Sequence, residues 1–174
     1  MKILFVRHSE PDYSMLDGKS TYTGFGRDLA PLSENGRAIA TRMAKDNRLL
    51  QAQVIVSSSV TRALETAATI VREIHLPLLV EPFFHEWRPD MTGQNATRDE
   101  AMQAVQLYED YNGELPVHSP VCYETASQMK ERFLTALEQY RHYDCVIIVC
   151  HGMLMRPFAP LEMIEYCQII EVEL

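Results

Sequence analysis

No apolar run in the 174 residues approaches the length of about 20 that crosses a bilayer as a helix, so no membrane span is expected. The opening Lys2 and its four apolar followers are not a secretory signal, because Arg7, His8, Glu10 and Asp12 interrupt them before an apolar core region forms. A cytoplasmic protein is the expectation. Positive charge is scarce too: 16 Lys and Arg stand against 24 Asp and Glu, a net charge of −8. Binding nucleic acid or an anionic membrane across the surface needs a basic face, so neither partner is expected, although a local basic pocket fits an acidic body. The four cysteines, Cys122, Cys145, Cys150 and Cys167, form no C-x-x-C pair and no zinc spacing, and read as reduced thiols. Internal repeats, low-complexity tracts and a second domain boundary are also missing. Residues 1–174 therefore read as one domain, and a hydrophobic fraction of 47% supplies its core.

What is present begins with Lys2-Ile3-Leu4-Phe5-Val6, a continuous apolar run that delivers Arg7-His8-Ser9-Glu10 at its end. Such a run reads as a buried parallel strand, and open α/β sheets carry their sites past the carboxyl ends of these strands. Cys145-Val146-Ile147-Ile148-Val149-Cys150 does the same and delivers His151-Gly152. Between them, Val54-Ile55-Val56 ends in Ser57-Ser58-Ser59, and Leu78-Leu79-Val80 leads into His85-Glu86-Trp87-Arg88. Gln168 to Leu174 reads as a last strand that could serve as a pairing edge.

Helical patterns fill the intervals. Ser33 is a candidate N-cap for a helix to about Arg48, with Ile39, Met43 and Leu50 on its buried face. Leu64, Ala67, Ala68, Val71 and Ile74 mark a stripe on a second helix, stopped by Pro77. A third runs from about Asp99 to Tyr111, and a fourth from about Tyr123 to Tyr140. A short helix after Gly152 is limited by Pro157 and Pro160. Strands alternating with helices give an α/β sandwich on a mostly parallel sheet. The Gly-rich segment from Pro11 to about Pro31 is long enough to be functional, and is expected to cover part of the site.

Arg7-His8, Ser57-Ser58 with Arg62, and His151-Gly152 all lie at strand-to-helix junctions that share one sheet edge. Two arginines, two histidines and hydroxyl groups converging there form an anion trap, and guanidinium forks match phosphate oxygens. Arg62 in the first turn of a helix opposes the helix dipole, which an anion partner would relieve.

These residues resemble the histidine phosphatase superfamily, the phosphoglycerate mutase-like family. Its R-H-G-E signature stands as Arg7-His8-Ser9-Glu10, and its L-[ST]-x-x-G segment as Leu32-Ser33-Glu34-Asn35-Gly36. Its S-S-x-x-x-R-A-x-x-T-A segment runs from Ser57 to Ala67, and the late H-G is His151-Gly152. The resemblance implies a three-layer α/β/α sandwich and a metal-independent phosphomonoester hydrolase, with no cofactor. His8 would become a phosphohistidine; Arg7, Arg62, His151 and Ser58 would hold the phosphate, and Glu86 would be the general acid. The implied substrate is a small phosphorylated metabolite or a phosphoprotein. His8 must be neutral to attack, and Arg7 and Arg62 are expected to depress its pKa, while a bound phosphate would raise that of Glu86.

The chain departs from the family at Ser9, which replaces the usual Gly and would either cost phosphate affinity or supply a hydroxyl donor. The mutase-type L-N-E-[RK]-x-x-G segment is absent, which favours hydrolysis over a phosphomutase; a non-catalytic phosphate-binding protein is the third alternative. His75, His118 and His142 read as surface residues, His85 as a neighbour of the site, and Cys150 as a buried thiol. Tyr13, Tyr22, Phe25 and Trp87 are candidates for the pocket rim, and Arg27, Arg88 and Arg98 for a second anionic group.

Overall fold

The two strongest apolar runs form the middle of one sheet. In a computed structural model that describes residues 1–16, 26–94, 97–159, 161 and 163–174, Lys2–Arg7 is β1 and Cys145–Cys150 is β4. They pair in parallel with Arg7 opposite Cys150. Next to β4 lies β2 (Val54–Ser58), then β3 (Leu78–Glu81), both parallel, while β5 (Ile169–Glu173) runs antiparallel beside β1. The order is β3-β2-β4-β1-β5. Ile3 and Phe5 face one layer together with Val54, Val56, Val146 and Ile148, whereas Leu4 and Val6 face the other with Ile55, Ile147 and Val149. Burial on both faces is why these runs are continuously apolar rather than alternating.

The first helix starts where Ser33 predicts, but the buried faces of the first two helices differ from the expected stripes. Ser33 caps α1 (Glu34–Met43), its Oγ accepting from Gly36 N at 2.8 Å. This helix stops short of Arg48; a 3₁₀ turn over Asn47–Gln51 follows, in which Leu49 is buried and Leu50 exposed. The face α1 buries is Gly36 and Ala40, with Ile39 and Met43 only at its margin. A Cβ on Gly36 would lie 2.2 Å from the carbonyl oxygen of Glu10, so the helix packs backbone to backbone on the segment after β1. Small residues mark that contact, and an apolar count misses it.

In α2 (Thr61–Ile74) the buried face is Arg62, Ala63, Thr66, Ala67 and Ile70; of the expected stripe Ala67 belongs to it and Val71 and Ile74 pack at its margin, while Leu64 and Ala68 are only half-buried. This face turns two polar side chains inward, toward the end of β1. The helix ends at His75, in the left-handed region at φ 57, two residues before Pro77. Reciprocal capping boxes begin α3 (Arg98–Asp110) at Thr97 and Glu100, and α4 (Ala126–Leu137) at Thr125 and Gln128. Tyr123 therefore lies outside α4, with its ring in the core, and Glu138–Tyr140 is a 3₁₀ turn. A short α5 (Gly152–Met155) follows β4.

Helices α3 and α4 cover one face of the sheet and α2 the other, which makes three layers. Burial of side chains such as Phe5, Phe84 and Phe133 contributes about 1.5–3 kcal/mol each. Among the described residues no helix is long and apolar enough to cross a membrane.

Candidate active site

Because β1 and β4 are neighbours in register, the residues after them are neighbours too. The amide of His8 donates to the Cys150 carbonyl at 2.9 Å, and the His8 and His151 rings lie 5.2 Å apart. Strand β2, on the other side of β4, brings Ser58 to the same edge; His151 Nε2 and Ser58 Oγ are 2.8 Å apart. In the first turn of α2, Arg62 reaches both histidines: its Nε donates to His8 Nε2 at 3.1 Å, and its Nη2 lies 3.4 Å from His151 Nδ1. His8, Arg62 and His151 are all buried.

Hydrogen bonding defines the tautomers. His8 Nδ1 sits 2.7 Å from the carbonyl oxygen of Ser9, which can only accept, so Nδ1 carries the proton and Nε2 the lone pair. His151 receives the Arg62 donor at Nδ1 and gives its Nε2 proton to Ser58, whose oxygen also takes the Val60 amide at 3.3 Å. Burial holds the pKa of His8 well below the usual histidine range, with Arg62 and then Arg7 pushing the same way against the Ser9 carbonyl. The expected depression is present, but desolvation exceeds the arginine contribution. His151 is likewise held well down by burial, Arg62 and His8.

Arg7, the last residue of β1, lies beside Gly152 at the start of α5. Its guanidinium stacks 4.3 Å from the Tyr166 ring and donates through Nη1 to the Ile164 carbonyl. Arg7 Nε is buried and has no hydrogen-bond partner among the described residues. Glu86 completes the cluster, its Oε1 accepting from the Trp87 amide at 2.9 Å, with the Leu154 amide beside it. Burial raises the Glu86 pKa, and Arg62 and Arg7 pull it partway back. Desolvation thus accomplishes what had been expected of a bound phosphate.

The remaining sequence candidates sort by contact. The Ser9 hydroxyl donates to the Gly36 carbonyl at 2.6 Å, and its amide donates to Thr66 Oγ1 at 3.0 Å, so the residue ties β1 to α1 and α2 instead of supplying a free donor. Ser9→Gly is expected to cost about 1 kcal/mol for the lost buried hydrogen bond, read as a lower Tm. Trp87 is buried against Tyr108 and Tyr123, so it is a core residue and not part of a rim. Arg27 stacks 4.0 Å from the Tyr13 ring, and its carbonyl accepts from Arg62 Nη1 at 3.1 Å. This contact brings the 26–29 segment to the site; Tyr22 and Phe25, also rim candidates, lie outside the described residues.

Arg88 pairs with Asp28 at 2.8 Å, and Arg98 is exposed at the start of α3. His75, His118 and His142 are exposed, His85 donates to the Glu86 carbonyl, and Cys150 is buried in the core with its thiol pushed up by desolvation. Among the described residues no three His, Cys, Asp or Glu side chains are grouped to hold a metal ion. Two surface concavities, of about 560 and 370 Å³, lie elsewhere, one beside Phe83 and Arg132 and one between α1 and α2. Sequence reasoning missed Tyr166 and the backbone acceptors at Arg27 and Ile164, none of which has a local sequence signal, whereas Thr66 lies in the Ser57 to Ala67 segment singled out above.

A mostly parallel sheet covered on both faces, with two arginines and two histidines at its carboxyl edge, is the phosphoglycerate mutase-like arrangement. Residues 3–161 match the sequence profile of the histidine phosphatase superfamily, branch 1; the chain belongs to that family and is a phosphatase of the histidine type. It is similar to the adenosylcobalamin/alpha-ribazole phosphatase of Escherichia coli K12, with 23% identity over 156 residues, 87% of this chain and 73% of the relative. Among solved structures, YhfR of Bacillus stearothermophilus superposes with a TM-score of 0.71 at 22% identity, covering 99% of this chain and 90% of that one. The mycobacterial glucosyl-3-phosphoglycerate phosphatase superposes with a TM-score of 0.66 at 20% identity, covering 98% and 88%.

Proposed function

We propose that this chain hydrolyses phosphomonoesters of small phosphorylated metabolites, without a metal, through a phosphohistidine on His8. The observation that carries the reading is the His8 tautomer: Nδ1–H is engaged by the Ser9 carbonyl, so the lone pair of Nε2 faces Arg62 in the cleft. On binding, phosphate oxygens take over the donors of Arg62 and the unpartnered Arg7 Nε, and His151 and Ser58 complete the cradle. His8 Nε2 forms the P–N bond as the P–O bond to the alcohol breaks, and Glu86 gives its proton to the departing oxygen. The Glu86 carboxylate then takes a proton from water, whose oxygen attacks phosphorus; the P–N bond breaks and free histidine and phosphate are released. The arginines offset the charge that accumulates on the equatorial oxygens.

The small-metabolite substrate is supported by the relatives, two of which are named for phosphatases of alpha-ribazole and of glucosyl-3-phosphoglycerate. Turnover of aryl and sugar phosphates in EDTA, with an acid-labile, base-stable phosphoryl label on the quenched protein, is the expected result. Tight phosphate binding with neither turnover nor label would replace this reading with that of a binding protein. Phosphate transfer within a phosphoglycerate, dependent on a bisphosphate primer, would replace it with a mutase.

A further inference from the structure

The loop that carries Glu86 has no secondary structure of its own between the 3₁₀ turn Pro82–Phe84 and Arg88. It is held from one side by a buried ion pair that belongs to α4 and its approach. Arg132 grips Glu124 with two parallel bonds, Nε to Oε1 at 2.6 Å and Nη2 to Oε2 at 2.9 Å, and Glu124 is 3% exposed. The free Nη1 of Arg132 donates to the Phe83 carbonyl. Glu124 then takes hold downstream: its Oε2 accepts from the Arg88 amide at 3.3 Å, its carbonyl from Trp87 Nε1 at 2.6 Å, and its own amide donates to the Arg88 carbonyl at 2.9 Å. Glu86 is thus suspended between two gripped points, Phe83 and Trp87-Arg88. Among the described residues neither charged partner hydrogen-bonds to His8 or Arg62, so the pair stands outside the proposed phosphate cradle.

A buried ion pair gives little net stability, because desolvation cancels most of the attraction; its value lies in fixing one geometry. Here the geometry fixed is that of the Glu86 backbone. We propose that Glu124 and Arg132 are positioning residues for proton transfer, their fork setting Glu86 at the distance from which it protonates the departing oxygen. This rests on Glu86 being the general acid. Proton transfer demands hydrogen-bond reach in the transition state, and displacement by about 1 Å can cost about a hundredfold. The thermodynamic role of an ion pair and its positioning role separate cleanly, because only the second depends on the leaving group.

The test compares kcat/KM, which reports the phosphorylation step, on phenyl phosphate and dinitrophenyl phosphate. Phenolate is a poor leaving group that needs a proton; dinitrophenolate leaves without one. Taking the ratio of the two on a single preparation cancels any difference in folded fraction. Glu86→Gln is expected to lower kcat/KM on the phenyl ester about a hundredfold more than on the dinitrophenyl ester. Arg132→Lys keeps the charge but not the fork, and is expected to shift the same ratio in the same direction about tenfold.

Glu124→Gln follows Arg132→Lys, and Arg132→Lys added to Glu86→Gln moves the ratio no further, since the group being positioned is already gone. Arg141→Gln, which breaks an exposed pair with Glu138, leaves the ratio where it is. An equal fall on both esters in Arg132→Lys, with the ratio unchanged while Glu86→Gln shifts it, overturns the positioning role and leaves the acid assignment standing. An unchanged ratio in Glu86→Gln overturns both.

Discussion

His8→Ala is expected to reduce turnover by roughly four orders of magnitude or more, the usual consequence of removing a nucleophile around which the other groups act as a unit. The phosphoryl label on the quenched protein should vanish with it. In the proposed mechanism His8 is singled out by a set of constraints: burial and Arg62 keep the ring neutral, and the Ser9 carbonyl holds its proton on Nδ1. The same substitution has a stability signature of definite sign. A histidine held neutral in the fold, below its ordinary value of 6.5, adds no penalty above that pH, because folded and unfolded forms are both uncharged. As pH falls below 6.5 the unfolded chain takes a proton that the folded one refuses, so wild type loses stability from this group. The Tm of His8→Ala relative to wild type should therefore rise as the pH is lowered from 7 toward 5, measured by thermal unfolding. A phosphoryl label that persists in His8→Ala would move the nucleophile elsewhere.

Arg62→Met is expected to lower kcat/KM by about a hundredfold to a thousandfold, the range typical for deleting one preorganised donor to developing oxyanion charge. Arg62→Lys should recover little, because one ammonium cannot reproduce a fork whose Nε meets His8 while its Nη2 meets His151. The pH profile distinguishes this from simple loss of binding. The proposed mechanism requires neutral His8, which sets the acidic limb, and protonated Glu86, which sets the basic limb. Arg62 lowers the pKa of both groups, so removing its charge should move both limbs upward in pH. Limbs that stay in place while kcat/KM falls would show that Arg62 acts on substrate alone, without tuning its neighbours.

Much of the site was legible because the signals are local. Arg7-His8 and His151-Gly152 follow continuous apolar runs, and the runs do become the two adjacent central strands. Ser57-Ser58 with Arg62 a turn later is the same junction on β2, and Glu86 follows β3 as the strand order requires. The start of α1 was written in its capping side chain, Ser33, whereas α4 starts at Ala126, past the expected Tyr123. The buried faces of α1 and α2 were not legible to the same degree. α1 buries Gly36 and Ala40 because it lies on the Glu10 backbone, and α2 buries Arg62 and Thr66 because they bond to His8, His151 and the Ser9 amide, so in both cases the buried side chains were small or polar where a hydrophobic pattern looks for large and apolar.

The sequence by itself determined the central apolar strands, the residue types at their carboxyl ends and the Ser33 cap that begins α1. These depend on residues within four positions of one another, and on side-chain types that do not change with context. Only the tertiary structure decided which nitrogen of His8 is free, where the Ser9 hydroxyl goes, that Trp87 is core and not rim, and that Glu124 and Arg132 grip the Glu86 loop. The contacts that link Arg62 to His8, Arg62 to His151 and His151 to Ser58 span 54, 89 and 93 residues. Their existence follows from the strand order β3-β2-β4-β1-β5, which no local stretch of chain contains. Burial, which shifts the pKa of His8 down and that of Glu86 up, is a property of the assembled layers and has no counterpart in the residues taken singly.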